Sequence, residues 1–380
     1  MRVTSAAVDR VAEASRRPAG VWPPELVSLA SGEPDFATPP HILDALDGAA
    51  RGGHTHYIDH RGDPELRAAI AADVERRTGR STDPIEVLVT HGGSGGVAAA
   101  VLALVDPGER VVIPEPSYSL YADAVRLAGG VPVFVATGED NHLDLDAIDA
   151  AADGARMIVL CNPCNPTGAV YRRSELEGVA RIAERIDALV ISDEAYAHIV
   201  YDGHRFVSAA EIPGLAARLV LCQTLSKKYA MTGLRIGYLV APRPVTDACL
   251  RAHRTFNGPG NAVIQRAAIA AIAGSDEWPD RMLAEYAHRR DLVIEALGDI
   301  DGARLFSPEG TFFAFVRSES GLDSQALVEH LATAGVAVRQ GAEFGPSGDG
   351  AVRLSFATDR DTLVAGLERV REGLRSLPTA

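Results

Sequence analysis

Between Val87 and Val240, short apolar runs alternate with longer stretches whose apolar positions recur at helical spacing. Residues 87–90, 110–113, 131–135, 157–160, 188–193, 219–221 and 236–240 have the length and β-branched content of strands. The stretches at 95–105 and 118–128 read as helices, and Pro64, just after Gly62, is placed to open an earlier one. Ser174-Glu175-Leu176-Glu177 reads as a capping box ahead of a stripe of Leu176, Val179, Ala180 and Ile182. Strand, helix and strand at this pace predict βαβ units in a mainly parallel sheet flanked by helices.

Beyond Arg243 the pattern turns helical, at 262–272 and in a long amphipathic stretch at 278–297 expected to link two domains. Strand-like runs follow at 310–316, 336–338 and 352–354, and Thr358-Asp359-Arg360-Asp361 leads a last helix bearing Leu363, Val364, Leu367 and Val370. The expected fold class is α/β, with a large domain over residues 43–277. A smaller α/β domain at 278–380 takes in the N-terminal segment, residues 1–42, and so is built from both chain ends.

A length of 380 residues exceeds one typical core, which agrees with two domains. The net charge of -14 argues against nucleic acid or an anionic membrane surface as the main partner, since both need a basic face. The N-terminus lacks the apolar core of a signal peptide, and the run at 95–105 is too short to span a bilayer, so the expected location is cytoplasmic. Cys161, Cys164, Cys222 and Cys249 are too few for a disulfide framework and fit a reducing compartment. Cys161-x-x-Cys164 opens no helix, which argues against a redox motif.

The candidate chemistry centres on residues 222–238, where Lys227-Lys228 falls in an expected loop between two strands. Ligands bind at strand ends of open α/β sheets, and Thr224, Ser226, Lys227 and Arg235 can converge there on an anionic ligand carrying a carbonyl. That combination suits a Schiff-base lysine with a phosphate anchor. Upstream, His91-Gly92-Gly93-Ser94-Gly95-Gly96 is neither a Rossmann nor a Walker loop, yet it follows a strand and opens a helix. Free N–H groups in such a turn suit a phosphate.

Asp193 ends a strand expected to be buried on both faces, which points its charge into a site. Asn165 lies in a proline-fixed loop with its amide free to donate outward. Arg353 is the one cation in the apolar run 350–357, and a buried guanidinium needs a partner such as a substrate carboxylate.

The stretch Thr224-Leu-Ser-Lys-Lys-Tyr-Ala-Met-Thr-Gly-Leu-Arg-Ile-Gly-Tyr238 resembles the cofactor-lysine motif of the class I/II aminotransferases of fold type I, which use pyridoxal 5'-phosphate (PLP). The resemblance runs from about Leu26 to Ala357 with the motifs in order. It implies that Lys227 is the Schiff-base residue, Arg235 following eight positions later as a phosphate ligand, with Lys228 a solvated neighbour. It also implies that Gly92, Gly93, Ser94, Thr224 and Ser226 bind the phosphate, Tyr118 stacks on the pyridine ring, and Asp193 pairs with the ring nitrogen. Asn165 and Tyr196 would bond the phenolic oxygen, and Arg353 the substrate carboxylate. In Gly32-Glu33-Pro34-Asp35-Phe36, Gly32 would approach that carboxylate and Phe36 line the site.

The segment with His54, His56 and His60 invites a metal reading, but it matches Tyr-x-x-x-x-Gly-x-x-x-Leu-Arg, which implies no metal. Tyr57 would instead reach the phosphate of a second subunit in a homodimer with shared sites. The implied activity is transamination between an L-amino acid and a 2-oxo acid, through a Lys227 internal aldimine and pyridoxamine phosphate. β-Elimination (C–S lyase) or a cyclising synthase would use the same residues. A regulatory protein of this fold would typically carry a DNA-binding domain, and no basic N-terminal extension is present.

Departures from the motif are Leu234 where Trp is frequent, Thr224 for Ser, and Asn257-Gly258-Pro259-Gly260-Asn261 in a segment usually richer in Ser and Pro. The last leaves side-chain recognition open, with Arg251, His253 and Arg254 as candidate cations for an acidic substrate.

Overall fold

The computed structural model describes residues 3–17 and 22–377, so the ends of the expected domain ranges, at 1–2 and 378–380, and residues 18–21 lie outside the described residues. Seven strands form the large sheet, in the order Val87–Thr90, Gly237–Val240, Leu219–Thr224, Leu189–Asp193, Ala155–Cys161, Arg110–Glu115, Val131–Ala136. All neighbours run parallel except at Gly237–Val240, which is antiparallel to both of its partners. The central strands are buried along nearly their whole length because helices cover both faces, so their sequences read as continuous apolar runs without alternation.

Several local expectations shift. The lysine pair is not in a loop: Leu225–Lys228 is a single helical turn, capped by the Thr224 hydroxyl accepting from Ser226 N–H at 3.2 Å. The helix predicted at 118–128 starts at Leu120. The capping box expected at Ser174 does not form: the helix Arg173–Arg185 begins one residue before Ser174, and Arg172, whose guanidinium has no acceptor, takes the N-cap position without closing a box. The reason is that the Glu175 carboxylate is buried and already accepts from Arg172 N–H and Leu143 N–H, both at 2.7 Å, which fixes the first turn.

A second core gathers around Tyr286, Phe312, Phe313, Phe356, Leu363 and Val370. Its sheet is antiparallel, in the order Arg339–Gln340, Ala351–Ser355, Phe313–Ser318, Ala303–Phe306. The run predicted at 336–338 divides: Val336–Ala337 pairs in parallel with Val27–Ser28, and the next residues join the four-stranded sheet. This pairing ties the N-terminal segment to the C-terminal part of the chain. The long helix Glu277–Leu297 contributes Met282, Tyr286, Val293 and Leu297 to the same core.

Candidate active site

Three adjacent parallel strands bring their C-terminal ends to one edge: Cys161 is in register with Asp193 and Asp193 with Cys222, two residues before the third strand ends at Thr224. The segments leaving those ends carry Asn165, Tyr196 and Lys227, so the sheet topology delivers all three to one place. A cavity of about 430 Å³ opens there. It brings together Gly32, Gly93, Ser94, Tyr118, Asn165, Asp193, Tyr196, Thr224, Ser226, Lys227, Arg235 and Arg353.

One end of the cavity is built for an anion. The helix Gly92–Leu104 has no side-chain cap, so its first N–H groups are available, and Ser94, Thr224 and Ser226 bring hydroxyls to the same end. Arg235 packs so tightly on Gly92 that a Cβ there would lie 2.6 Å from Nη2. Gly237 has the same role from the adjacent strand, since a Cβ on it would come within 2.6 Å of the Gly92 backbone.

At the other end lies Asp193, buried, with Oδ1 accepting from Ala195 N–H at 3.1 Å and Oδ2 from Tyr121 Oη at 2.8 Å. Burial raises its pKa above the usual aspartate value, while the Tyr121 and Ala195 bonds and the Lys227 charge pull it back. Lys227 Nζ donates to Gly32 O and lies 5.7 Å from the Phe312 ring centroid. Burial, with Arg353 and Arg235 adding to it, holds the ammonium down to about 8, so a useful fraction is free amine near neutrality. Lys228 departs from expectation: it is no solvated neighbour but an ion-pair partner of Asp276 at 2.6 Å, lining a different pocket.

Arg353 is buried and lies 4.1 Å from the Phe313 ring centroid. Its Nη1 donates to Asn165 Oδ1 at 3.2 Å and its Nη2 to Ala30 O at 2.9 Å, while Nε has no partner. Glu343, the acid that most raises its pKa, is bonded to Arg339 at 2.8 Å instead. Burial therefore holds Arg353 down to about 10, and among the described residues it has no ion-pair partner. A buried cation in that state is poorly stabilised until an anion reaches it.

Three of the cofactor- and substrate-site candidates that the resemblance implies fall outside the cavity. Gly92 acts from behind, through Arg235. Phe36 packs edge-on against Tyr286, with ring centroids 5.4 Å apart, and beneath Arg289. Tyr57 is 93 % exposed on its own chain. His253 cannot serve as a cation for substrate: it is fully buried, burial holds it down to about 4, and its Nε2 faces His91 N–H at 3.4 Å. Arg251 and Arg254 are exposed and do not line the cavity.

Sequence reading missed Tyr121, Cys161 and Phe313, which all line the cavity. The first could have been found, since it lies one helical turn after Tyr118. Also unread was the composition itself, in which Lys227 and Lys228 are the only lysines.

The donor set fits pyridoxal phosphate: an uncapped helix start with hydroxyls and Arg235 for the phosphate, a buried carboxylate for the ring nitrogen, and a depressed amine between them. The comparisons agree. The family model for aminotransferases of class I and II matches residues 24–370. A bifunctional aspartate aminotransferase and glutamate/aspartate-prephenate aminotransferase of Petunia hybrida is 36% identical over 368 residues, covering 92% of this chain and 76% of that one. An aspartate aminotransferase of Pyrococcus abyssi is 36% identical over 360 residues, 92% of each chain. Among solved structures, an aromatic aminotransferase from Pyrococcus horikoshii OT3 superposes with a TM-score of 0.91 at 36% identity, covering 97% of this chain and 99% of that one. The aspartate aminotransferase from Thermus thermophilus with maleate gives 0.88 at 33% identity, with 98% and 97% covered.

The chain belongs to the class I and II aminotransferases. It is a PLP-dependent enzyme of fold type I that transfers an amino group between an amino acid and a 2-oxo acid. Among the described residues no helix is long and apolar enough to cross a membrane.

Proposed function

We propose that Lys227 holds the cofactor covalently and is also the base of the reaction, with Arg353 as the clamp for the α-carboxylate of both amino acid and 2-oxo acid. The observation that carries this reading is the pairing, in one cavity, of a depressed amine with a buried guanidinium whose Nε has no partner. When bound, PLP supplies the aldehyde that takes up the amino group and the ring that delocalises the charge left on Cα.

The protein's part is positional. Arg353 and Asn165 fix the carboxylate, which sets the direction of the Cα–H bond. Lys227 Nζ takes that proton and returns it on the cofactor side. Asp193, which accepts from Tyr121 Oη and Ala195 N–H, would hold a proton on the ring nitrogen. Tyr196 and the Asn165 amide nitrogen offer donors to the phenolic oxygen. Ser94, Thr224, Ser226 and Arg235 anchor the phosphate.

We further propose a cytoplasmic homodimer in which Tyr57 reaches the partner's phosphate site; its exposure and the match at Tyr57 and Gly62 support this. Residues 43–277 would form the large domain and 278–380, with 1–42, the small one. The names of the relatives support acidic and aromatic amino acids as the first donors to try. The test is a single half-reaction without acceptor. Formation of one 2-oxo acid per site, with the cofactor recovered as its amine, is expected. Release of ammonia with the cofactor unchanged would refute the reading.

A further inference from the structure

We infer that Glu115 is a positioning residue for the substrate clamp: from the end of a strand in the large sheet it pins the turn 341–348, whose Phe344 keeps water from the Arg353 guanidinium. The inference rests on the proposed reading of Arg353 as the residue that takes the α-carboxylate.

Glu115 ends the strand Arg110–Glu115 and is buried. Among the described residues it has no ion-pair partner, and its carboxylate serves one backbone group: Ser347 N–H donates to Oε1 at 3.1 Å and to Oε2 at 2.9 Å. The Ser347 hydroxyl donates to Glu115 O at 3.3 Å, and Ser117 N–H donates to Phe344 O at 2.7 Å. Gly345, between these contacts, has a φ of +129° and lies so close that a Cβ on it would collide with Glu115 Oε2. Residues 115–117 therefore grip the turn that joins two strands of the smaller sheet, Arg339–Gln340 and Ala351–Ser355. Bonds to a carboxylate are stronger than neutral ones, so Glu115 is the main fastening.

What the turn carries bears on Arg353. Phe313, whose ring centroid lies 4.1 Å from Arg353 Cζ, is fixed by the strand beside it, whereas Phe344, buried and at 5.1 Å, comes from the turn. A turn that swings away takes an aromatic face from the guanidinium and admits water to the Nε that has no partner. Water then competes with the substrate carboxylate and raises the local dielectric, which weakens the attraction between the two charges. Beyond Ser117 the same segment continues into Tyr118 on the cavity wall, so a few residues fasten both the wall and the clamp.

The experiment uses the PLP-loaded, full-length protein in two assays. In the first, phenylglyoxal labels arginines, and mass mapping follows blocked cleavage at Arg353, which leaves residues 340–360 as one tryptic peptide. Glu115→Ala should speed that labelling roughly tenfold, the scale of a lost cation–π cover, while buried Arg289 and Arg290 keep the parent rate. In the second, the half-reaction is saturated with the amino acid that the parent protein turns over fastest. Its half-saturation concentration should rise roughly tenfold, with the limiting rate within about twofold and PLP affinity within about threefold. Glu115→Gln keeps an oxygen for Ser347 N–H and loses the charge, so it should fold as the parent does and move labelling and half-saturation by only about threefold. Phe344→Leu should reproduce the Glu115→Ala changes, and combining the two should add nothing. The proposal is overturned if Arg353 labelling does not rise, if Arg289 labelling rises with it, or if the two substitutions add. Where Glu115→Ala does not fold, Glu115→Gln with labelling at the parent rate overturns it. Unchanged labelling leaves the clamp reading intact, whereas faster labelling with unchanged half-saturation overturns Arg353 as the clamp and this proposal with it.

Discussion

Tyr121 Oη donates to Asp193 Oδ2 at 2.8 Å, a bond between two buried groups on neighbouring elements of the cavity. It opposes the burial that raises the aspartate. Tyr121→Phe should therefore raise the Asp193 pKa and move the acid limb of the half-reaction to higher pH. A hydrogen bond to a charged group is worth roughly 1.5–3 kcal/mol, so the rate near neutrality should fall by about ten- to a hundredfold. Stopped-flow pH profiles check this, and an acid limb that stays in place would contradict the assigned role.

The legible parts of this molecule were those with a local signature. Strands buried on both faces declare themselves as apolar runs, and glycine, proline and charged residues at their ends mark the loops that carry chemistry. Tertiary choices were not legible. The expected box of Ser174 and Glu177 gives way because Glu175, held by the N–H groups of Arg172 and of distant Leu143, fixes the first turn instead. Lys228 meets Asp276 and His253 meets His91, partners that no spacing rule connects. Phe36 packs edge-on against Tyr286, from a helix distant in sequence.

Arg353→Gln should act on substrate far more than on cofactor. Removing one partner of a buried charged pair costs roughly 2–5 kcal/mol, so kcat/KM should fall by about thirtyfold to several thousandfold. PLP affinity should stay within about threefold, a shift below one kcal/mol. Steady-state kinetics beside a cofactor titration separate the two effects, and a comparable loss in both would make Arg353 a structural residue.

His142 links Glu175 and Glu309, with Nδ1 2.9 Å from the first carboxylate and Nε2 3.3 Å from the second. Burial alone would lower its pKa, but the two carboxylates outweigh it and lift it from 6.5 to about 9. A cation raised in the folded state stabilises fully below 6.5 and loses that contribution as pH rises through about 9. His142→Gln should therefore melt earlier than the parent protein at pH 6.5, with the gap closing above pH 9. A gap independent of pH, by scanning calorimetry, would show that only packing was lost.

Tyr57, exposed on its own chain, should matter to the partner's site. Tyr57→Ala is expected to weaken PLP binding by about ten- to a hundredfold, the equivalent of one bond to a charged phosphate. Mixing Tyr57→Ala chains with Lys227→Ala chains should restore one tight site per heterodimer. Verified heterodimers without that recovery would confine Tyr57 to its own chain or to no role.

Lys227 as the cofactor residue is the claim on which the rest depends, and the chain makes the choice binary, because Lys227 and Lys228 are its only lysines. Borohydride reduction of the PLP-loaded protein, followed by peptide fragmentation, reads the answer directly. A pyridoxyl group on Lys227, with Lys228 unmodified, is the predicted result. A pyridoxyl group on Lys228, or loaded protein that reduces with neither lysine labelled, would contradict it.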